Sequence, residues 1–329
     1  LHESQTPAGN PVSVVTELAE GVSFATDIAK SDVRDGFTDR VSAAAWNQVE
    51  SVAQLTIPKN LETQSPSVIT FKGDSGYQYG QLDIVAEAFS KSVVIINHVG
   101  SGNNALNVDI TAADGANLTV VSIQDWSEDA IHLGEHRITV GRDASVKHVL
   151  VTLGGDLVRL LPSVKYTAPG GNVDLIGLYF AGPGQHLEQR LFVDHSVENC
   201  RSNVMYKGAL NGKDAHTVWV GDVLIRANAT GTDTYEINRN LVLSDGGRAD
   251  SVPNLEIETG EIAGAGHAST TGRFDDEQLF YLQSRGIPAH EARKLVLRGF
   301  FEDLLNQIAV PEINDSVRER LEVRLAGQQ

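Results

Sequence analysis

The sequence predicts a mainly β chain that ends in helices, and three observations carry that reading. From Ser67 to Gly266 short apolar runs follow one another, each bounded by Gly, Asp or Asn, the pattern of strands separated by turns. No long amphipathic helix interrupts them, which disfavours a doubly wound sheet, because its parallel strands need helices between them. After Phe274 the apolar spacing changes from alternation to a helical period.

Residues Leu1 to about Val14 are polar and carry Pro and Gly, so a loose lead-in is expected there. From Thr16 to Val52 the pattern suits short helices. DRVSAAAWNQVESVAQL puts Val41, Ala44, Ala45, Val49 and Val52 on one stripe, with Asp39 as its N-cap. Pro58 closes this region. Strands are then predicted in SVITFKG, SVVIINHVG, NALNVDITAADGANLTVVSIQD, HRITVGRDASVKHVLVTLGGD and GNVDLIGLYFAG. LEQRLFVDHSV, HTVWVGDVLI and EINRNLVLS continue the series. Two all-β solutions fit: stacked sandwich sheets, or a solenoid whose coils each contribute short strands. Runs that are apolar on both faces, VLVTL and LIGLYF, lean toward the solenoid. The lack of a strict sequence period leans against it.

Three amphipathic helices follow. FDDEQLFYLQSRG has Asp275 and Asp276 in its first turn and Gly286 after its end. IPAHEARKLVLRGFFEDLLNQI starts at Pro288 and spaces Ala292, Leu295, Val296, Phe300, Leu304 and Leu305 on one apolar face. INDSVRERLEVRLAG carries Val317, Leu321 and Leu325. These helices either cap the β body or form a docking surface. The expected division is an N-terminal helical or lead-in segment over 1–60, a β core over 61–272 and a helical domain over 273–329.

Composition excludes several functions. A formal charge of −17 leaves nothing to neutralise phosphates, so neither nucleic acid nor an anionic membrane is an expected partner. One Cys in 329 residues rules out an internal disulfide and a multi-cysteine metal centre, and suits a reducing compartment. No apolar run has the length of a membrane-spanning helix. The chain opens on Leu1 with no signal pattern, so a trimmed start and a cytoplasmic location are expected. No P-loop, GxGxxG, HExxH or GxSxG motif is present. GAGHASTTGR lacks the Lys and the frame of a phosphate loop, so no nucleotide is expected on this chain.

The stretch from Asp194 to Ile287 concentrates the polar candidates, His195, His216, Asn238 and His267, together with Cys200. His132 and His136 stand four apart, yet Gly134 lies between them and a solvated loop setting is expected for both. His195 reads as a hydrogen-bonded turn residue and Cys200 as a small packed side chain. His267 lies among Gly and Ala, where backbones approach closely, and is the best single candidate for a transient metal ligand. Taken alone, the residues contain no self-sufficient active site.

DHSVENCRSNVMYKGALNGKDAHTVWVGDVLI, YEINRNLVLS, PNLEIETGEIAGAGHASTTGRFDDEQLFYLQSRGI and ARKLVLRGFFEDLL resemble, in that order, the core of the SufB/SufD family of iron–sulfur cluster assembly proteins. The resemblance implies a right-handed parallel β-helix core with flanking N-terminal helices and a C-terminal helical domain. It also implies a non-enzymatic scaffold in a cytoplasmic complex, paired with a SufB-like paralogue and docked to the ABC-type ATPase SufC, which hydrolyses the ATP. The cysteine that SufB members carry in the YEINRNLVLS strand is Asn238 here. The family His after the LEI strand is His267, one residue further on than in the usual run. Retained His with lost Cys is the SufD pattern. On this resemblance His267 contributes to a transient iron or iron–sulfur cluster shared with SufB. Ala292, Leu295, Val296, Phe300, Phe301 and Leu304 are the implied SufC-docking residues, and Asp194, His195, Cys200 and Tyr206 are structural. Gly208 is expected to shape a YKG turn. Two other readings stand beside it: a homodimer of the isolated chain, and a β-helix carbohydrate-active enzyme (polysaccharide lyase or hydrolase), although aromatics are only 6% for stacking sugars.

Overall fold

Runs of about ten residues with alternate side chains buried build the body of the chain. The computed structural model describes residues 8–30, 37–274, 276–308 and 310–326. It begins with β1 (Asn10–Pro11), β2 (Ser13–Glu17), β3 (Ser23–Ala29) and helix α1 (Arg40–Gln48). Then come β4 (Ser51–Ile57), β5 (Ser67–Gly73), β6 (Tyr77–Ala86), β7 (Lys91–Gly100), β8 (Asn103–Ala112) and β9 (Asn117–Trp126). β10 (Ile131–Val140), β11 (Ser145–Thr152), β12 (Leu157–Tyr166), β13 (Asn172–Ala181) and β14 (His186–His195) follow. The last strands are β15 (Arg201–Leu210), β16 (His216–Ile225), β17 (Asp233–Val242), β18 (Arg248–Ile257) and β19 (Gly264–Arg273). Helices α2 (Asp276–Ser284), α3 (Ala289–Ile308) and α4 (Pro311–Ala326) close the chain.

Even-numbered strands from β4 to β18 lie side by side in one sheet, odd-numbered strands from β5 to β19 in the other. Pairing is parallel throughout both series, as in β6 with β8 and β17 with β19. Each coil therefore gives one strand to each sheet, and the solenoid, not the sandwich, is the fold. The sequence period is hidden because the coils differ in length. Tyr77 pairs with Asn103, 26 positions on, while His216 pairs with Arg248, 32 positions on. What repeats is inward burial, not residue identity.

Inward residues of both sheets form one apolar interior that includes Leu82, Ile96, Val120, Leu160, Leu175 and Val204. The outer face of the odd sheet is apolar too. Val121, Val149, Val151, Ile176 and Leu178 meet Leu297, Phe301, Leu304, Leu305 and Ile308 of α3, with Ile313, Val317 and Leu321 of α4. This explains VLVTL and LIGLYF: their strands are covered on one side by the lumen and on the other by the tail. Lys207 Nζ donates to the Phe300 carbonyl at 2.7 Å and pairs with Asp303. Lys147 Nζ donates to the Gln307 carbonyl at 2.7 Å.

Several expectations change. Short helices were expected from Thr16 to Val52, but among the described residues of that range only α1 forms. β2 and β3 precede it and pair antiparallel with β5 and β4, because alternation in SVVTE and SFATDIA favours strands. The expected lead-in gives way to strand from Asn10, and residues 1–7 lie outside the described residues, as do Asp275 and the side chain of Leu325. Asp39 is the N-cap expected, its Oδ2 accepting from Val41 N at 2.9 Å and Ser42 N at 3.2 Å. The apolar face of α3 is turned by one position. Leu297 is buried while Leu295 is 43% exposed, because three consecutive apolar residues offer two faces and packing selects one.

His132 and His136 are not solvated. Both lie on β10 with no exposure, since a strand through Gly134 points them into the lumen. His132 Nδ1 lies 2.7 Å from Gln124 Oε1, and His136 Nδ1 lies 2.9 Å from His148 Nε2. His98 stacks over Phe71 at 5.4 Å between ring centroids. Burial lowers all four imidazoles, His132 to about 3 and His136 to about 4. A group whose folded pKa is depressed binds fewer protons folded than unfolded. Its stabilisation is complete above the unfolded value near 6.5 and is lost as pH falls toward the folded one. Each imidazole contributes up to ~1.4 kcal/mol per pH unit in that window. The urea midpoint is therefore expected to drop steeply from pH 7 to pH 5 in equilibrium unfolding; a level midpoint would show these rings to be solvated. Phe301, with no exposure, anchors the tail. Phe301→Ala is expected to cost ~3–5 kcal/mol and to appear in limited proteolysis as faster cleavage within the tail helices while the β body resists.

Candidate functional site

In the last coils the lumen turns from apolar to polar. The inward residues of β17 are Thr234, Glu236, Asn238, Asn240 and Val242, where β13 presents Val173 and Leu175. Two aromatic–glycine exchanges shape this region. Gly177 pairs with Tyr206 and Tyr179 with Gly208 across β13 and β15. A Cβ on Gly177 would sit 2.0 Å from the Tyr206 ring, and one on Gly208 1.8 Å from the Tyr179 ring. Gly208 is thus required inside a strand by a ring lying on it, not by a YKG turn; it has no left-handed φ.

Tyr179 starts a hydrogen-bonded column. Its hydroxyl donates to Asn240 Oδ1 at 2.7 Å and accepts from Asn238 Nδ2 at 2.8 Å. Asn238 Oδ1 accepts from Asn240 Nδ2 at 2.7 Å and from Ser251 Oγ at 2.8 Å. Ser269 Oγ donates to Ser251 Oγ at 2.7 Å and brings the column to the exposed last coil. The Asn238 amide is therefore fully engaged, and it has neither the nucleophilicity of a thiolate nor a free donor atom for a metal.

His267 lies at that same end. GAGHASTTGR is strand β19, with His267 opposite Glu236 in register. The imidazole is 44% exposed, whereas the Glu236 side chain is 1% exposed, and Nδ1 stands 3.7 Å from Glu236 Oε1. Neither Glu236 oxygen has a hydrogen-bond partner. Gly221 makes room for the carboxyl, since a Cβ there would come 2.3 Å from Oε2. Burial, reinforced by Asp222, pushes the Glu236 carboxyl up to about 8. Sequence reasoning missed Glu236; the signal available was an acidic residue on the inward phase of a strand.

The remaining candidates are structural in their contacts. His195 ends β14 rather than sitting in a turn. It is buried, stacks on Tyr166 at 4.9 Å and lies 2.9 Å from Ser202 Oγ. Asp194 accepts from Arg226 Nε at 2.7 Å. Cys200 is buried, and burial pushes its thiol up, which makes it a packed side chain with little thiolate. His216 lies on the outer face of the even sheet, remote in register from His267. Among the described residues no group of three or more His, Cys, Asp or Glu could hold a metal ion. No described helix is long and apolar enough to cross a membrane.

In the tail, Ala292, Phe301 and Leu304 have no exposure and are packed against the solenoid or within the tail. Leu295 is open, and Val296 and Phe300 are partly so. Phe280 is 71% exposed and Tyr281 lies beside it on α2.

Comparison with known proteins agrees with this architecture. A family model described as SUF system FeS cluster assembly, SufBD core domain, matches residues 69–300. An iron–sulfur cluster assembly SufBD family protein of Mycobacterium bovis is 50% identical over 337 residues, covering 99% of this chain and 85% of that protein. One from Mycobacterium leprae is 50% identical over 333 residues, covering 98% and 84%. The iron–sulfur cluster assembly protein SufD of Escherichia coli is 23% identical over 337 residues, covering 97% and 78%. A polar-ended parallel solenoid with a packed helical tail, matched by this family over most of its length, makes the chain a member of the SufBD family of iron–sulfur cluster assembly proteins, distantly related to SufD.

Proposed function

We propose that this chain is a non-catalytic, SufD-type scaffold in the cytoplasm. It pairs with a SufB-like paralogue at the open end of the solenoid and docks a SufC-like ATPase through its tail. The observation that carries the reading is the exposed His267 on the last coil beside the saturated amide of Asn238. This end of the chain offers an imidazole but no thiolate, so iron or a growing cluster needs sulfur ligands from a partner. Imidazole is a sound ligand for such centres. β18 and β19 are the terminal strands of their sheets, and exposed Val252 and Ile257 on β18 add apolar surface to an edge open to strand pairing. Leu295, Val296 and Phe300, with Phe280 and Tyr281 on α2, supply the apolar surface for SufC, and ATP hydrolysis belongs to that partner. The family match leaves the carbohydrate-active alternative without support.

Co-expression with cognate SufB and SufC, followed by purification through a tag on this chain, is expected to yield one SufB, one copy of this chain and two SufC by native mass spectrometry. His267→Ala should keep that assembly and lower cluster formation at least tenfold. Leu295→Glu should deplete SufC while retaining SufB. Recovery of this chain alone, as monomer or homodimer, would overturn the proposal.

A further inference from the structure

On its outer face, the even sheet brings together two histidines from neighbouring coils. His186 and His216 are the first residues of β14 and β16 and direct register partners. Their rings stand nearly perpendicular, 4.7 Å between centroids, with the two Nδ1 atoms 3.1 Å apart. Both side chains are 29% exposed, so solutes reach them. Each ring is held from behind by a carboxylate: His186 Nε2 lies 3.0 Å from Glu188 Oε2, and His216 Nε2 lies 2.9 Å from Asp250 Oδ2. The carboxylates are fixed in turn. Glu188 accepts from Arg159 Nε at 3.3 Å and pairs with Arg190, while Asp250 lies 2.9 Å from Arg248 Nη2.

This arrangement fixes the tautomers. A carboxylate on Nε2 holds the proton there, which leaves Nδ1 of each ring as an acceptor. Two acceptor lone pairs then face each other at 3.1 Å. Such a contact is unfavourable unless a cation lies between them or one ring takes a second proton. A transition ion bound to both nitrogens at about 2.0–2.1 Å would subtend roughly 100° between them, within tetrahedral to octahedral preference. Carboxylates on the remote nitrogens of metal-bound histidines orient the rings and raise their basicity. Asp250 and Glu188 stand where that role requires. Imidazole donors with no thiolate select a borderline divalent ion such as Fe²⁺, Co²⁺, Ni²⁺ or Zn²⁺ over Mg²⁺ or Ca²⁺.

We propose that His186 and His216 form a solvent-accessible two-imidazole site for a divalent first-row transition ion, oriented by Glu188 and Asp250 and separate from His267. Solvent, or a donor from an incoming carrier, completes the coordination sphere. The two ligands do not depend on the assembly role, since they lie on β14 and β16, in other coils and the opposite sheet from His267; of the residues around them only Asp250 is on the terminal strand β18.

The test titrates the purified full chain with Co²⁺ under anaerobic conditions, using equilibrium dialysis and the visible d–d absorption of the ion. All samples carry His267→Ala and His290→Ala, which remove two further exposed imidazoles. One equivalent of Co²⁺ is expected, displaced by Zn²⁺ and not by Mg²⁺. His186→Ala and His216→Ala should each abolish the absorption. Asp250→Asn should weaken binding ~10–100-fold while both ligands remain. Circular dichroism melts coincident with the parent would separate loss of ligand from loss of fold. No bound Co²⁺ in the parent, or binding retained in both histidine variants, would overturn the site. A proton shared between the rings in nitrogen-15 spectra, without displacement by metal, would assign the contact to an imidazole–imidazolium pair and overturn it equally.

Discussion

Parallel stacking in register is the constraint on which the rest of this molecule depends. Because each strand lies directly on the equivalent strand of the next coil, a residue's inward or outward phase is inherited along the whole column, and a slip of one position would turn an entire face inside out. The interior must then be filled slice by slice. Most slices are filled by Val, Ile and Leu. Where two tyrosines enter, a glycine stands opposite each, Gly177 under Tyr206 and Gly208 against Tyr179. The exchange keeps the slice volume constant without bending the ladder.

The same rule explains why chemistry collects where it does. In the middle coils, inward polar groups are enclosed on all sides, and the imidazoles of His98, His132, His136 and His148 are held neutral. At the last coil a column has a neighbour on one side only. His267 continues an inward phase and is nevertheless exposed, with Glu236 one coil deeper and enclosed. An exposed donor above a buried carboxyl follows from ending a ladder with polar residues on its inner face.

How much of this was legible from the sequence differs by element. Most strands of the body and all three tail helices could be read, because alternation and helical spacing are local signals. The solenoid could not be separated from a sandwich, since coil steps varying between 26 and 32 residues blur any repeat. His132 and His136 were misread because Gly134 suggests a loop, whereas the ladder supplies what local propensity lacks. The phase of α3 was lost among Leu295, Val296 and Leu297, where only the facing sheet decides. His267 stood out for its small neighbours, but its family role came from resemblance, and Glu236 went unnoticed because its register partner is 31 positions away.

The covering of the odd sheet by the tail has a consequence for synthesis. Val121, Val149, Val151, Ile176 and Leu178 present a hydrophobic strip that is complete once β13 is made, yet the residues that cover it start near Leu297 and extend to Leu321. A chain emerging from the ribosome from its N-terminus must therefore carry that strip uncovered for more than a hundred residues of elongation. At about 5–20 residues per second this exposure lasts several seconds, long enough for chaperone capture or for association between neighbouring nascent chains.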